Sequence, residues 1–299
     1  MIKISVVIPA KNRAKTLLKC LESIINQTYP VSEIIVVDDH SVDNTQEVLK
    51  SICDKRVIYE LLPKGKGAQA ARNYGIAIAK YEWIAFQDSD DLWLPEKLAI
   101  QVEVLSIHNY DKSILVHSNG LLRNTTTNIE KKIIVPLTEG KCYEQLLIQP
   151  GPMFQSFLVS KEMILKAGGL DDNCPSFQEW DTSIRLSKIT KFIHIKQPLF
   201  VWIWHDGETI SKDIRRHVIG YNYVINKNKK EIIARHGVRV WRVLKIKNIS
   251  VALNAGLWSE VENLLDDNLR KLTYIIIKIF KIFNVFPRGA SRLLMLTAK

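Results

Sequence analysis

Four short apolar runs, each followed by a helix-length segment, constrain this chain more than any other feature. Ile4 to Ile8 is β-branched and apolar apart from Ser5, and it ends at Pro9. A continuous run of this kind suits a strand buried on both faces, as in a parallel sheet. Leu17, Leu18, Leu21, Ile24 and Ile25 then recur at helical spacing, and the pattern stops near Tyr29-Pro30. Ile34 to Val37 is a second strand, and Asp43-Asn44-Thr45 opens a helix carrying Val48, Leu49 and Ile52. Val57 to Leu61 is a third strand, Ala68 to Ala79 an alanine-rich helix, and Trp83 to Phe86 a fourth strand. This alternation predicts an α/β fold with a doubly wound, mostly parallel sheet. Further on, Phe157 to Val159 reads as a strand and Glu162 to Lys166 as a short helix stopped by Gly168-Gly169. Trp180 to Lys188 reads as a helix, and Phe192 to Ile195 and Leu199 to Trp204 as strands.

The chain has 299 residues, enough for one large α/β domain with an appendage. Its apolar share of 46% and charged share of 24% argue against disorder. Cys20, Cys53, Cys142 and Cys174 lie far apart without a C-x-x-C pair, which points to reduced thiols in a cytosol rather than a zinc site or disulfides. The opening residues Met1 to Ser5 lead straight into the first strand, so no signal peptide is expected. The net charge of +11 is unevenly placed: residues 212–299 hold 18 Lys and Arg against 6 Asp and Glu, and the preceding residues are nearly neutral. General nucleic-acid binding by the whole molecule is therefore not expected, and the basic part carries no recognised nucleic-acid motif.

Two acidic clusters, Asp38-Asp39 and Asp88-Ser89-Asp90-Asp91, fall directly after strands. In open α/β sheets ligands bind at the carboxyl ends of the strands. Three carboxylates in four positions are unfavourable unless a cation or basic partner offsets them. Mg²⁺ and Mn²⁺ take oxygen ligands and bridge one or two carboxylates to substrate phosphates. Taken alone, the second cluster reads equally well as a solvated turn capping the next helix.

Together, Ser5 to Arg13, Ile35 to Ser41, Ala71-Arg72-Asn73-Tyr74-Gly75 and Phe86 to Asp91 resemble the family 2 glycosyltransferases in wording, order and separation. The resemblance covers residues 1 to about 211 and is far more specific than any one motif. It implies a GT-A fold and an inverting transfer from a nucleotide-sugar, with a nucleotide-binding half (residues 1–110) and an acceptor-binding half (111–211). By position, Pro9 would help shape the nucleotide pocket, Asp39 would accept a hydrogen bond from the base, and Arg72 would lie near the nucleotide. Asp88 and Asp90 match the family's D-x-D: Asp90 as direct ligand of Mn²⁺ or Mg²⁺, Asp88 on the metal, its waters or the ribose. Arg13 and Lys66 read either as diphosphate contacts or as ordinary surface charges, and Asp38 as a local cap.

Phe177-Gln178-Glu179-Trp180-Asp181 resembles the family's catalytic segment, with Glu179 where an aspartate is usual. Glu179 is the favoured base and Asp181 the second candidate, whose other reading is a helix N-terminal acid. On a helix, positions two apart diverge by about 200°, so both would not face one pocket. His205, before Ser211, matches a histidine near the family's diphosphate or metal; a lone histidine is as readily structural.

Residues 212–299 are expected to be a basic helical extension. Leu272 to Phe286 is apolar with Lys271, Lys278 and Lys281 on one side, too short and too charged to span a bilayer. It suits either a helix lying in a membrane surface or one docked on protein. The expected partners are a nucleotide-sugar and a glycan or lipid-linked acceptor. The expected location is cytoplasmic, peripheral at the inner face of the plasma membrane if the extension binds lipid. A sugar nucleotidyltransferase is disfavoured because Pro9-Ala10-Lys11-Asn12-Arg13 has no glycine, and a non-catalytic nucleotide-sugar binder is the other reading.

Overall fold

The computed structural model describes residues 1–135, 138–204 and 213–265, together with Thr273, Ile275, Ile277 and Lys278. The chain gathers into two compact units. One comprises residues 1–146, 151–172 and 182–206; the other comprises 147–150, 173–181 and 207–299.

The first unit is built on one sheet. β1 (Ile4–Ala10), β2 (Glu33–Asp38), β3 (Val57–Leu61) and β4 (Trp83–Phe86) pair in parallel in the order 3-2-1-4. The expected strands are all present. Every residue of β1, β2 and β4 is buried, which explains their unbroken apolar character. Crossovers run through α1 (Leu17–Ile25), α2 (Thr45–Lys50) and α3 (Ala68–Ile78). Leu17, Cys20, Leu21 and Ile24 of α1 pack on Ile4, Val6 and Ile8. α3 comes so close to the sheet that a Cβ at Gly75 would lie 2.6 Å from Val7 Cγ1. This is a packing reason for the glycine of the Arg72-Asn73-Tyr74-Gly75 motif.

Beyond β4 the sheet becomes mixed. β5 (Leu92–Trp93), α4 (Lys97–Ile107), β6 (Ile114–Asn124), β7 (Glu130–Ile133), α5 (Tyr143–Leu146) and a 3-10 turn (Phe154–Ser156) lead to β8 (Leu158–Ser160). β8 runs antiparallel to β4 and β6. α6 (Lys161–Lys166) ends at Gly168 and Gly169, both with positive φ, as the sequence suggests. α7 (Gln178–Ser187) begins two residues before the expected start at Trp180.

The two strands expected near Phe192 and Leu199 are one, β9 (Lys191–Trp204), parallel to β6. The apparent break is a bulge: Ser118 pairs with Ile195, but Asn119 pairs with Pro198. Proline cannot donate to a ladder, so it sits where pairing is interrupted. Asn119 fills the gap, donating to the Lys196 carbonyl at 2.7 Å and accepting from the Val135 amide and His194 Nε2, each at 3.0 Å.

His194 stacks on His117, its cross-strand neighbour, with centroids 4.5 Å apart. Burial lowers the pKa of both, that of His117 to about 3, so both rings are neutral near pH 7.

In the second unit α8 (Ile214–Lys227), α9 (Lys229–Asn254) and α10 (Trp258–Leu264) surround Val218, Ile246, Ile249, Leu253, Val261 and Ile277. α9 is interrupted at Gly237, whose φ of 84° is non-helical. Most of the segment from Leu272 to Phe286 lies outside the described residues. Of those described, Thr273 and Ile277 are buried, while Ile275 and Lys278 are exposed. No helix among the described residues is long and apolar enough to cross a membrane. Cys20, Cys53, Cys142 and Cys174 are all free.

Two outcomes follow from this packing. Gly75→Ala forces its methyl into Val7 and lowers unfolding free energy by about 1–3 kcal/mol in a urea titration. The unfolded chain gains a proton at His117 below about pH 6.5 that the folded chain refuses until about pH 3. Stability therefore falls as pH drops through this window, and His117→Phe makes that fall shallower in denaturation midpoints measured from pH 7 to pH 4.

Candidate active site

The parallel register decides where a site can form. Ala10 pairs with Asp38 and Asp38 with Leu61, so β1, β2 and β3 end level. Val7 pairs with Phe86, which brings the loop after β4 to the same rim. Pro9, a candidate pocket residue, is buried within β1 opposite Val37.

Asp39 leaves β2 only 3% exposed. Its Oδ1 accepts from the Lys66 amide at 2.6 Å and its Oδ2 from the Gly67 amide at 3.0 Å, with Lys11 Nζ at 3.4 Å. The carboxylate thus ties the loop after β3 to the end of β2. Gly67 has φ of 92°, which a side chain at that position would strain. Lys66 meets Asp39 through its backbone, and its side chain is exposed. Asp38 is a local fastener: it accepts from the Ser41 amide at 2.7 Å and from Tyr59 Oη at 3.1 Å. Burial first, and then the Asp38 charge, pushes the Tyr59 phenol to about 12.

The Asp88-Ser89-Asp90-Asp91 turn is held from several directions. Arg72 Nη2 donates to Asp88 Oδ1 at 2.5 Å, and Arg72 Nη1 donates to Gln69 Oε1 at 2.8 Å. The guanidinium also lies over the Phe154 ring, 4.7 Å from its centroid. Arg13 Nη2 reaches Asp90 Oδ2 at 3.1 Å. Asp91, 2% exposed, accepts from Gln155 Nε2 and from the Ile203 amide, each at 2.8 Å. Burial, then the Asp90 and Asp88 charges, raise the Asp91 pKa well above the carboxylate range. Burial and the same three carboxylates also push the Cys20 thiol up. The turn therefore gathers negative charge that raises its buried neighbours' pKa values, and Asp88 and Asp90 carry the hard oxygen atoms that Mg²⁺ and Mn²⁺ take. Among the described residues no group of three or more His, Cys, Asp and Glu side chains is placed to hold a metal ion. His205 lies outside the described residues.

Glu179 and Asp181 belong to the second unit and open α7. Both are helical from the start, so their side chains diverge as the helical period requires. Asp181 is 1% exposed and pairs with Lys227 Nζ at 2.7 Å. Glu179 is half-buried. The residue before the helix, Phe177, has φ of 56°, rare for an aromatic. Its ring is held edge-on by His217 at 4.7 Å and Tyr221 at 5.5 Å. Ser176 packs on α8 so closely that a Cβ at Gly220 would lie 2.0 Å from Ser176 Oγ. The segment carrying both carboxylates is thus fixed by α8, which nothing in the local motif reveals.

The fold has counterparts among solved structures. S. aureus TarS in complex with UDP-GlcNAc superposes with a TM-score of 0.68 at 16% identity, over 89% of this chain and 80% of that one. The fold is therefore GT-A. Residues 5–153 match the model of Glycosyl transferase family 2, and the chain belongs to that family. An uncharacterised glycosyltransferase of Rickettsia felis is 43% identical over 110 residues, 36% of this chain and 18% of that protein. WfaP of Escherichia coli, a UDP-Glc:α-D-GlcNAc-diphosphoundecaprenol β-1,3-glucosyltransferase, is 40% identical over 34% of this chain and 41% of that protein. The chain thus spans less than half the length of either relative.

The sequence motifs name Asp91 without giving it a task; they miss Phe154 and Gln155 because those contacts are long-range, and Gln69 because its bond to Arg72 lies one helical turn away, outside the motif. Asp91→Leu strands the Gln155 amide and the Ile203 N–H in a buried site and costs about 1–3 kcal/mol. Asp91→Asn keeps one acceptor and costs less; chemical denaturation of the two variants checks the order.

Proposed function

We propose that this chain is an inverting, metal-dependent glycosyltransferase that moves a sugar from a UDP-sugar to an acceptor hydroxyl. The observation that carries the reading is the carboxyl rim, where Asp39, Arg72, Arg13 and the Asp88-Ser89-Asp90-Asp91 turn converge in a chain of this family. Asp39 and Pro9 would bound the base, Arg72 and Lys66 would lie toward the nucleotide, and Arg13 would meet the diphosphate. Asp90, with Asp88 and His205 as further candidates, would hold Mn²⁺ or Mg²⁺. When bound, such a cation neutralises charge growing on the departing diphosphate.

Inversion needs one base and no covalent nucleophile. The acceptor oxygen bonds to the anomeric carbon as the bond from that carbon to the diphosphate oxygen breaks. The hydroxyl proton passes to a carboxylate in hydrogen-bond reach. Glu179 is the proposed acceptor of that proton. Asp181 is already engaged by Lys227 deep in the second unit, which favours a structural role for it.

A lipid-linked glycan is the proposed acceptor, by analogy with WfaP, whose name specifies a diphosphoundecaprenol substrate. That acceptor would bring the chain to the cytoplasmic membrane surface and into surface polysaccharide synthesis. The burial of Thr273 and Ile277 supports docking of at least that part of the basic extension on protein.

The test is a screen of UDP-, GDP- and dTDP-sugars for hydrolysis and transfer, with and without Mn²⁺. One donor turns over with metal and not with chelator, and Asp90→Ala abolishes it. Glu179→Gln binds that donor normally but loses transfer by about 10²-fold or more. A Glu179→Gln variant that still transfers, beside a dead Asp181→Asn, moves the base to Asp181.

A further inference from the structure

The two arginines on the acidic turn are held in different ways. Arg72 comes from a helix, its side chain is 6% exposed, and it is pinned by Gln69 and the Phe154 ring while it pairs with Asp88. Arg13 comes from the loop between β1 and α1, and its side chain is 25% exposed. Beyond Asp90 it makes only long contacts, Nη1 to the Lys11 carbonyl at 3.3 Å and to the Asn12 carbonyl at 3.4 Å. Nε is buried without a hydrogen-bond partner in both arginines, so the difference lies in exposure and in what else pins the guanidinium: Gln69 and the Phe154 ring for Arg72, long carbonyl contacts for Arg13. The Arg13 backbone, by contrast, is anchored by its amide to Thr45 Oγ1 at 2.8 Å.

Resting on the donor-site reading above, we propose that Arg13 is an exchangeable counter-ion. It balances Asp90 before ligand binds, yields that carboxylate to the divalent cation, and turns its guanidinium to the diphosphate arriving with it. Arg72 stays on Asp88 throughout. The asymmetry assigns different tasks to the two acids: Asp90 is the oxygen ligand that becomes available, and Asp88 remains the fixed partner of a buried arginine. A guanidinium released from a carboxylate suits the second half of the exchange, because its planar fork pairs with phosphate oxygens as well as with carboxylate. Its anchored backbone keeps it beside the turn. Cation and diphosphate then become coupled ligands, each easing the entry of the other.

Titration of Mn²⁺ alone into the full chain, followed by electron paramagnetic resonance, tests the first half. Removing a direct competitor of Asp90 should tighten Mn²⁺ binding by roughly three- to fivefold in Arg13→Gln. Lys15→Gln removes the same charge from an exposed neighbouring position and should change Mn²⁺ binding much less. With Mn²⁺ present, UDP should bind Arg13→Gln about tenfold more weakly than wild type, by the loss of one charge-assisted pair. Mn²⁺ affinity in Arg13→Gln no higher than in wild type or in Lys15→Gln overturns the exchange. Unchanged UDP affinity overturns its second half. Either result leaves Mn²⁺-dependent UDP binding by the wild type standing, whereas absence of that binding removes the donor-site reading and the exchange with it.

Discussion

The concentration of negative charge after β4 is the constraint around which the first unit is arranged. Asp88, Asp90 and Asp91 are paid for by groups from four separate places in the chain: Arg72 on α3, Arg13 on the β1–α1 loop, Gln155 within the 3-10 turn, and the Ile203 amide on β9. Each of these contacts spans a long stretch of sequence. The turn therefore forms only when the parallel half of the sheet and its mixed extension are both in place. This links the site to global folding rather than to one local motif.

The surrounding architecture serves the same end. Fully buried β1, β2 and β4 give a rigid floor, β1 and β2 end level with β3, and Gly75 lets α3 sit close enough for Arg72 to reach Asp88. At the far side, the Asn119 plug lets β9 pass its own bulge at Pro198 and still present the Ile203 amide to Asp91. In the second unit, α8 fixes the segment of Glu179 through Phe177, Ser176 and the Lys227–Asp181 pair. Hydrophobic burial sets the framework, and a few buried polar contacts set the positions of the chemical groups.

How much of this was legible depended on whether the signal was local. β1 to β4 announce themselves as β-branched runs, because strands buried on both faces must be apolar throughout. α1 shows helical spacing, α3 is rich in alanine, and the acidic turn follows a strand directly. The mixed half is harder to read. β6 is long but includes His117 and Asn119, polar residues whose partners lie on other strands or loops, and the buried Ser118, so its burial does not show in its composition. β9 reads as two strands because Pro198 marks the bulge but not the continuity across it. Glu179 and Asp181 were recognisable as a pair of acids. That one of them is closed off by Lys227 depends on α8, and no spacing rule expresses it.

Backbone hydrogen–deuterium exchange with and without UDP and Mn²⁺ tests the central claim, that the carboxyl rim of the parallel strands receives the donor. Slowed exchange concentrated in residues 10–13, 39–41, 65–72 and 87–91 is the predicted result, because these loops meet at that rim. Protection absent from those loops, or confined to residues 213–265, would contradict it and place nucleotide recognition elsewhere in the chain.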